Sequence, residues 1–171
     1  MEITELVNKA KRGDKEALIQ LVMEKKFEYY KLAFVYMENK EDALDALEDM
    51  IVILHEKLKN LKKEEAFYSW SKTILVNCCK NRLKRNRRLV SLDSVQEASY
   101  ESSFESSESR LDILAQLKNL NTKQQEAIKL KFFLGLGNEE IAHMCGVPIG
   151  TIKSRISIGL KKLKECFGGN Y

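Results

Sequence analysis

The stretch NEEIAHMCGVPIGTIKSRISIGLKKLKE, residues 138–165, decides the fold of the C-terminal part of the chain. Apolar residues recur at helical spacing on both sides of the Gly-Val-Pro turn at 146–148. This pattern predicts a short helix over 138–145 and a longer one over 149–167. Two helices joined by a tight turn that contains glycine form a helix-turn-helix. The sequence therefore predicts this motif at the C-terminal end.

The outward side of the second helix of the motif carries short hydroxyl groups and cations. These residues are Thr151, Lys153, Ser154, Ser157 and Lys161. Hydroxyls and amines near a helix N-terminus suit contacts with phosphates and with base edges in the major groove. The pattern favours DNA binding, and the alternative is a plain helical hairpin with a solvated basic face.

The composition of the whole chain predicts an all-α protein. Its 171 residues include one proline and eight glycines, of which only Gly13 precedes residue 135. A β-sandwich or barrel needs a turn every ten or so residues, and this chain is too poor in turn-formers for that. The Rossmann and Walker phosphate loops are excluded because their glycine spacings are absent. The 44% of apolar residues suffice for one or two small cores.

The same composition excludes several compartments and chemistries. No apolar run approaches the roughly 18–20 residues of a spanning helix, and the N-terminal stretch has no apolar signal core. We therefore expect a cytoplasmic protein without membrane insertion. The cysteines at 78, 79, 145 and 166 lack metal-ligand spacing, so we expect buried or half-buried thiols, no metal and no cofactor. No nucleophile-and-base constellation stands out, and we expect no enzyme.

The net charge of +4 hides a strong segregation of charge along the chain. Residues 80–88, KNRLKRNRR, carry six cations and no acid, whereas residues 91–109 carry five acids, eight serines and neither Lys nor Arg. Serine competes with the backbone for hydrogen bonds, and this second stretch has no apolar period. We therefore predict two small helical domains, residues 1–88 and 110–171, joined by a flexible, acidic, Ser-rich linker, residues 89–109.

Caps and apolar spacing predict the first three helices of the N-terminal domain. One runs over residues 3–12, and a second, capped by Asp14, runs to about Met37. The third is capped by Asn39 and carries an apolar stripe that predicts a core face. The stripe consists of Leu44, Leu47, Ile51, Leu54 and Leu58. The surface beside the stripe is acidic, with Asp42, Asp45, Glu48 and Asp49.

A fourth helix is predicted over residues 64–87, aromatic at its start and cationic at its end. Asn77 and Asn81 lie on one face of it, at i and i+4. Aromatic rings stack on unpaired bases, amides bind base edges and cations neutralise phosphates. The alternative is that Phe67 and Trp70 anchor the core and that the cationic run is a solvated helix end. Six cations without compensating acids favour a polyanion as the partner.

The C-terminal domain begins with two further predicted helices. The first covers about residues 110–120. The second runs to about Phe133 and opens with a capping box formed by Thr122 and Gln125. In the helix-turn-helix that follows, we expect Val147 to fill the gap between the helices. The predicted inner-face residues are Ile141, Ala142, Met144, Ile152, Ile156 and Leu163.

Three segments, in this order, resemble one family, the extracytoplasmic-function sigma factors of the sigma-70 family. The segment NKEDALDALEDMIVILHEKL, residues 39–58, resembles the helix with which these factors grip the polymerase clamp. EAFYSWSKTILVNCCKNRLKRNRR, residues 65–88, resembles their −10 reading helix. LNTKQQEAIKLKFFLGLGNEEIAHMCGVPIGTIKSRISIGLKKLKE, residues 120–165, resembles their −35 reading domain.

The resemblance implies partners and roles for individual residues. The partners are core RNA polymerase, through its β′ clamp and β flap, promoter DNA and an anti-sigma factor. The positions that match the clamp contacts are Asp45, Glu48 and Asp49. Those that match the −10 contacts are Asn77, Lys80, Asn81 and Lys84, and those that match the −35 contacts are Thr151, Lys153, Ser154, Arg155 and Ser157. The loop at 60–67 would hold a base flipped from the non-template strand, and the acidic linker would thread toward the RNA channel.

One departure from the family concerns −35 recognition, because Ile158 and Leu160 stand where many members carry Arg. The leading hypothesis is an alternative sigma factor that directs core polymerase to a small set of promoters and has no chemistry of its own. A helix-turn-helix regulator that binds operators without polymerase is the second hypothesis. A helical RNA-binding domain over 1–88 is the third.

Overall fold

The computed structural model describes residues 2–92 and 115–166. The chain divides into two compact units, residues 1–99 and 100–171, each of which is described here by itself. Every regular element in the described ranges is helical. The predicted all-α class is therefore confirmed.

The N-terminal unit contains five α-helices and two 3₁₀ turns within its described residues. The helices are α1 (Ile3–Lys11), α2 (Lys15–Glu24), α3 (Lys26–Met37), α4 (Lys40–Lys57) and α5 (Phe67–Leu92). The 3₁₀ turns, Leu58–Asn60 and Glu64–Ala66, connect α4 to α5. Helix α1 packs on α2, while α3, α4 and α5 pack on one another. Buried apolar side chains come from all five helices, so the core of this unit extends from α1 and α2 to α5.

Two predicted N-caps are confirmed. Asp14 Oδ1 accepts hydrogen bonds from the backbone N–H groups of Glu16 (3.0 Å) and Ala17 (3.2 Å). Asn39 Oδ1 accepts one from the N–H of Asp42 at 2.8 Å. Each cap satisfies N–H groups that have no partner within their own helix.

The single helix predicted from Asp14 to Met37 is wrong, because Lys25 interrupts it. Lys25 has φ −114° and ψ 21°, and its N–H bonds to the carbonyl of Val22 in a tighter turn than the α-helix makes. The residues before the break belong to α2, which packs on α1, and those after it belong to α3, which packs on α4 and α5. The break allows the two halves to reach different packing partners.

The predicted core stripe of α4 is confirmed at Leu54 and Leu58, and it is wrong at Leu44 and Ile51. The buried residues of this helix are Ala43, Ala46, Met50 and Leu54, and Leu58 is buried just after it. Leu44 is 42% exposed and Ile51 is 37% exposed. Two alanines allow a close approach of the neighbouring helices, so the face with the smaller side chains is the one that packs. Apolar spacing alone favours the larger residues, so it missed the two alanines at the start of the helix.

Helix α5 begins at Phe67, three residues later than predicted, and extends past residue 87 to Leu92. Its Ser71 Oγ and the Tyr29 hydroxyl form a buried hydrogen bond of 2.6 Å, and burial raises the pKa of Tyr29 to about 12. Cys78 and Cys79 are also buried, and burial raises the pKa of both thiols. Among the other cysteines, the predicted burial holds for the half-buried Cys145 and is wrong for the exposed Cys166.

The C-terminal unit contains the predicted helix-turn-helix. Its helices are α6 (Thr122–Phe132), α7 (Asn138–Cys145) and α8 (Ile149–Cys166). Gly146 closes α7 with φ 67°, a left-handed conformation that glycine adopts at little cost. The residues buried or packed between these helices include all six predicted inner-face positions, Ile141, Ala142, Met144, Ile152, Ile156 and Leu163.

The start of the C-terminal unit concerns two predictions, the capping box of α6 and the helix over residues 110–120. The capping box of α6 is formed by Asn121 and Gln124, one residue earlier than the predicted pair Thr122 and Gln125. Gln125 instead donates a hydrogen bond from Nε2 to the Leu120 carbonyl at 2.8 Å. Of the predicted helix 110–120, residues 115–117 are helical, and residues 110–114 lie outside the described residues. Most of the predicted linker, residues 89–109, also lies outside them.

Gly159 marks the closest approach of α8 to α6. A Cβ atom at this position would lie 2.5 Å from the Ile128 Cδ1 atom, which is itself buried. We expect Gly159→Val to destabilise the C-terminal unit by about 1–3 kcal/mol, because the added atoms overpack a filled core. Amide hydrogen exchange over α6 and α8 measures the loss. Gly150→Val on the same helix is the matched control, since nothing lies within 4 Å of its Cβ position. Equal exchange in the two variants would contradict the expected overpacking.

Candidate nucleic-acid interface

One side of α5 carries the four residues predicted to face the −10 element. Asn77, Asn81 and Lys84 are exposed, and Lys80 is half-buried. Their spacing of three and four residues places them on one continuous face. This face combines amides, which bind base edges, with cations, which bind phosphates.

The aromatic residues at the start of α5 divide between core and surface. Phe67 is fully buried, and its ring centroid lies 5.3 Å from that of Tyr68 and 6.3 Å from that of Trp70. The Tyr68 hydroxyl donates within the unit, to the Leu21 carbonyl at 3.2 Å and to Glu24 at 3.1 Å. The interpretation of Phe67 as a core anchor is therefore confirmed. Trp70 is half-buried and lies two turns before Asn77 on the same side.

The cationic run at the end of α5 does not act as one uncompensated block. Arg82 Nε donates to Asp49 Oδ2 at 2.6 Å, and its Nη1 lies 3.6 Å from Asp45 Oδ2. Arg85 Nη2 lies 3.9 Å from the same Asp49 oxygen. The inference that the six cations lack acidic partners is thus wrong for these two. The acidic partners lie on α4. They are more than 30 positions away in the sequence, so the local charge pattern did not predict the pairing.

The three acidic residues predicted to face the polymerase clamp have different surroundings. Asp49 and Asp45 are the partners of Arg82, with side chains 36% and 50% exposed. Glu48 is exposed on the same helix. Around it lie the exposed apolar side chains Leu44, Ile51 and Val52. This mixed surface of α4 was missed because Leu44 and Ile51 were predicted to be core.

The loop predicted to hold a flipped base is tied to α1. Lys11 Nζ donates to the Leu61 carbonyl at 2.6 Å and to Glu64 Oε1 at 2.9 Å. The hydrogen bond from Lys11 lowers the pKa of Glu64. Phe67 at the end of the loop is buried and offers no ring surface to a base.

The residues predicted to face the −35 element surround the outer side of α8. Lys153, Ser154 and Ser157 are exposed, whereas Thr151 and Arg155 are half-buried on its other flank. Lys153 and Ser157 are four residues apart, as are Thr151 and Arg155, so each pair shares a side of the helix. The two residues that depart from the family pattern are exposed too, Ile158 at 48% and Leu160 at 42%.

In residues 2–92 and 115–166, no group of three or more His, Cys, Asp or Glu side chains is arranged to hold a metal ion. No helix in these ranges is both long enough and apolar enough to span a membrane.

Comparison with known proteins gives two family matches in the same order as the two units. Residues 21–89 match Sigma-70 region 2, and residues 110–163 match Sigma-70, region 4. The first match contains α3, α4 and nearly all of α5. The second contains the helix-turn-helix. Together the two matches cover most of the chain.

Individual relatives agree with these matches. The chain is 28% identical to RNA polymerase sigma factor SigV of Bacillus subtilis over 156 residues, 91% of this chain and 94% of that protein. It is also 28% identical to the ECF RNA polymerase sigma-E factor of Escherichia coli, covering 88% of this chain and 86% of that one.

Solved structures share the fold. One is CnrH in complex with the cytosolic domain of CnrY, with a TM-score of 0.69, 20% identity and coverage of 98% of both chains. Another is the sigma factor RpoE of Bartonella quintana in complex with the anti-sigma factor NepR, with a TM-score of 0.65, 24% identity and coverage of 89% of this chain and 97% of that one. The chain belongs to the sigma-70 family and is an alternative sigma factor of its extracytoplasmic-function branch, which directs promoter-specific transcription initiation.

Proposed function

We propose that this sigma factor binds core RNA polymerase through the exposed surface of α4 and reads the −10 element with the Asn77–Lys84 face of α5. The outer side of α8 reads the −35 element. The chain works in the cytoplasm as a binding subunit without chemistry of its own. The observation that carries the proposal is that one small unit exposes two chemically different surfaces on adjacent helices.

The DNA-reading role of α5 is supported by the composition of its exposed face. Asn77 and Asn81 each offer an amide that donates and accepts, as base edges require. Lys84 adds a cation one turn further along, where it suits a phosphate. Single-stranded DNA exposes its base edges and its phosphates at the same time, so this face of α5 suits a melted −10 element.

The polymerase-binding role of α4 is supported by its exposed apolar residues. Leu44, Ile51 and Val52 are 42%, 37% and 57% exposed, in a helix whose opposite side is fully packed. A group of exposed apolar side chains with polar residues beside it is typical of a protein-binding site. Glu48 is the acid most available to a basic partner, since Asp45 and Asp49 already pair with Arg82. We therefore assign the main clamp contact to Glu48, with Asp45 and Asp49 behind it.

An anti-sigma factor is the third partner in this proposal. CnrH is seen with the cytosolic domain of CnrY, and the Bartonella RpoE is seen with the anti-sigma factor NepR. Both share the fold of this chain. We propose that an anti-sigma factor covers α4 when the chain is not bound to polymerase.

Glu48→Lys tests the clamp surface. We expect it to weaken core-polymerase binding about tenfold, because a cation replaces an acid that meets a basic surface. Equilibrium binding of the full chain to core polymerase measures the effect. Glu16→Lys, a charge reversal at another exposed position, on α2, is the matched control and should bind normally. The assignment of α4 fails when the two variants bind core polymerase equally well.

A further inference from the structure

Arg82 stands out among the cations of α5 because it does not lie on the proposed DNA-reading face. Two residues along an α-helix correspond to about 200°, so Arg82 and Lys84 project to opposite sides. Lys84 lies on the face with Asn77 and Asn81. Arg82 turns instead toward α4, within the most cationic stretch of the chain.

The contacts of Arg82 link α5 firmly to α4. Its side chain is 25% exposed, and the 2.6 Å bond to Asp49 joins residues that are 33 positions apart. The planar guanidinium also reaches Asp45 at 3.6 Å, so a single side chain engages two carboxylates one turn apart. Hydrogen bonding to Asp49 raises the pKa of Arg82, which keeps the cation charged.

The position of Arg82 along α5 gives this link its importance. Cys78 and Cys79, just before it, are buried, whereas every side chain from Lys84 to Leu89 is exposed. Arg82 therefore stands where the helix leaves the apolar core. At that point, beside the half-buried Leu83, the ion pair adds a polar link between α4 and the last part of α5 that packs on the unit.

We propose that Arg82 is a positioning residue that holds the DNA-reading face of α5 at a fixed angle to the polymerase-binding surface of α4, through Asp49 and Asp45. Arg82 itself contacts neither DNA nor polymerase. The inference rests on the proposed functions of both helices. It accounts for the pairing of two acids of the predicted clamp surface, Asp45 and Asp49, with a residue of α5.

Arg82→Gln in the full chain, assembled with core polymerase, tests the inference. We expect open-complex formation to fall about tenfold, the order of effect of a lost charge-assisted hydrogen bond. Core-polymerase binding should stay nearly unchanged. Arg87→Gln, an exposed cation on the same helix, is the matched control for the loss of one charge. Arg82→Lys keeps a cation beside Asp49 and should retain much of the opening that Arg82→Gln loses.

The salt dependence of promoter binding separates positioning from direct contact. Loss of a phosphate contact reduces the slope of log affinity against log salt by about one, which we expect for Lys84→Gln and not for Arg82→Gln. A reduced slope in Arg82→Gln, normal opening, or a loss of polymerase binding as large as the loss of opening would each overturn the inference. Should Arg82→Gln fail to fold, Arg82→Met keeps the long apolar stem, removes the charge and gives the same comparison.

The proposed function can fail separately from this inference. Normal opening with both Asn81→Ala and Lys84→Gln would refute the DNA-reading face of α5, whatever Arg82→Gln does. Impaired opening in those two variants together with normal opening in Arg82→Gln would refute only the positioning role.

Discussion

Replacing both Asn77 and Asn81 by alanine is expected to lower promoter opening about a hundredfold, because two amide contacts with base edges are lost. Both side chains are exposed and one helical turn apart, so neither variant disturbs the core. Core-polymerase binding should remain normal, since the polymerase-binding surface lies on α4. The defect is thus predicted in DNA melting and not in assembly.

Permanganate footprinting of holoenzyme–promoter complexes measures this effect at the melted thymines. Asn86→Ala is a matched control on the same helix, because Asn86 is also exposed but lies nine residues after Asn77 and projects to the other side. It should melt the promoter normally. Equal footprints for the double variant and the control would remove α5 from −10 recognition.

Phe67→Ala is expected to destabilise the N-terminal unit by about 3–5 kcal/mol, the cost of removing a buried phenyl ring from a packed core. Phe67 is fully buried and contacts the rings of Tyr68 and Trp70. Such a loss is a large part of the stability of a small domain. The free energy of unfolding should therefore fall enough to populate unfolded protein at moderate temperature.

Tryptophan fluorescence during urea unfolding follows this unit alone, because Trp70 is the single tryptophan of the chain. Phe27→Ala is the matched control, since Phe27 is in the same unit and 70% exposed. Its urea midpoint should stay close to that of the unaltered protein. A midpoint for Phe67→Ala that also stays there would contradict the core position of this ring.

Local signals predicted the helix-turn-helix and the two N-caps correctly. The Gly146 turn and the capping residues Asp14 and Asn39 act on their immediate neighbours, so a short stretch of sequence contains the full cause. The register of the capping box at α6 was one residue off, because Asn121 and Thr122 are both good caps and only the packed structure selects between them.

Features that depend on packing between helices were predicted poorly. The buried face of α4 is built on Ala43 and Ala46, whose small size matters only once a neighbouring helix is present. The pairing of Arg82 with Asp49 joins residues 33 positions apart, and neither has a local signal for it. The charge pattern did show a basic and an acidic helix, but not that they neutralise each other in part.

The measurement that tests the central claim most directly is transcription by core RNA polymerase, with and without this chain, followed by sequencing of the RNA 5′ ends. We predict new start sites that follow a shared pair of −10 and −35 elements and that disappear with the Asn77/Asn81 double variant. Binding of the chain to DNA without any new start site would instead indicate a regulator that works without polymerase. Equal binding to any RNA, again without new start sites, would indicate an RNA-binding domain, and either result would contradict the assignment of α4 and α5.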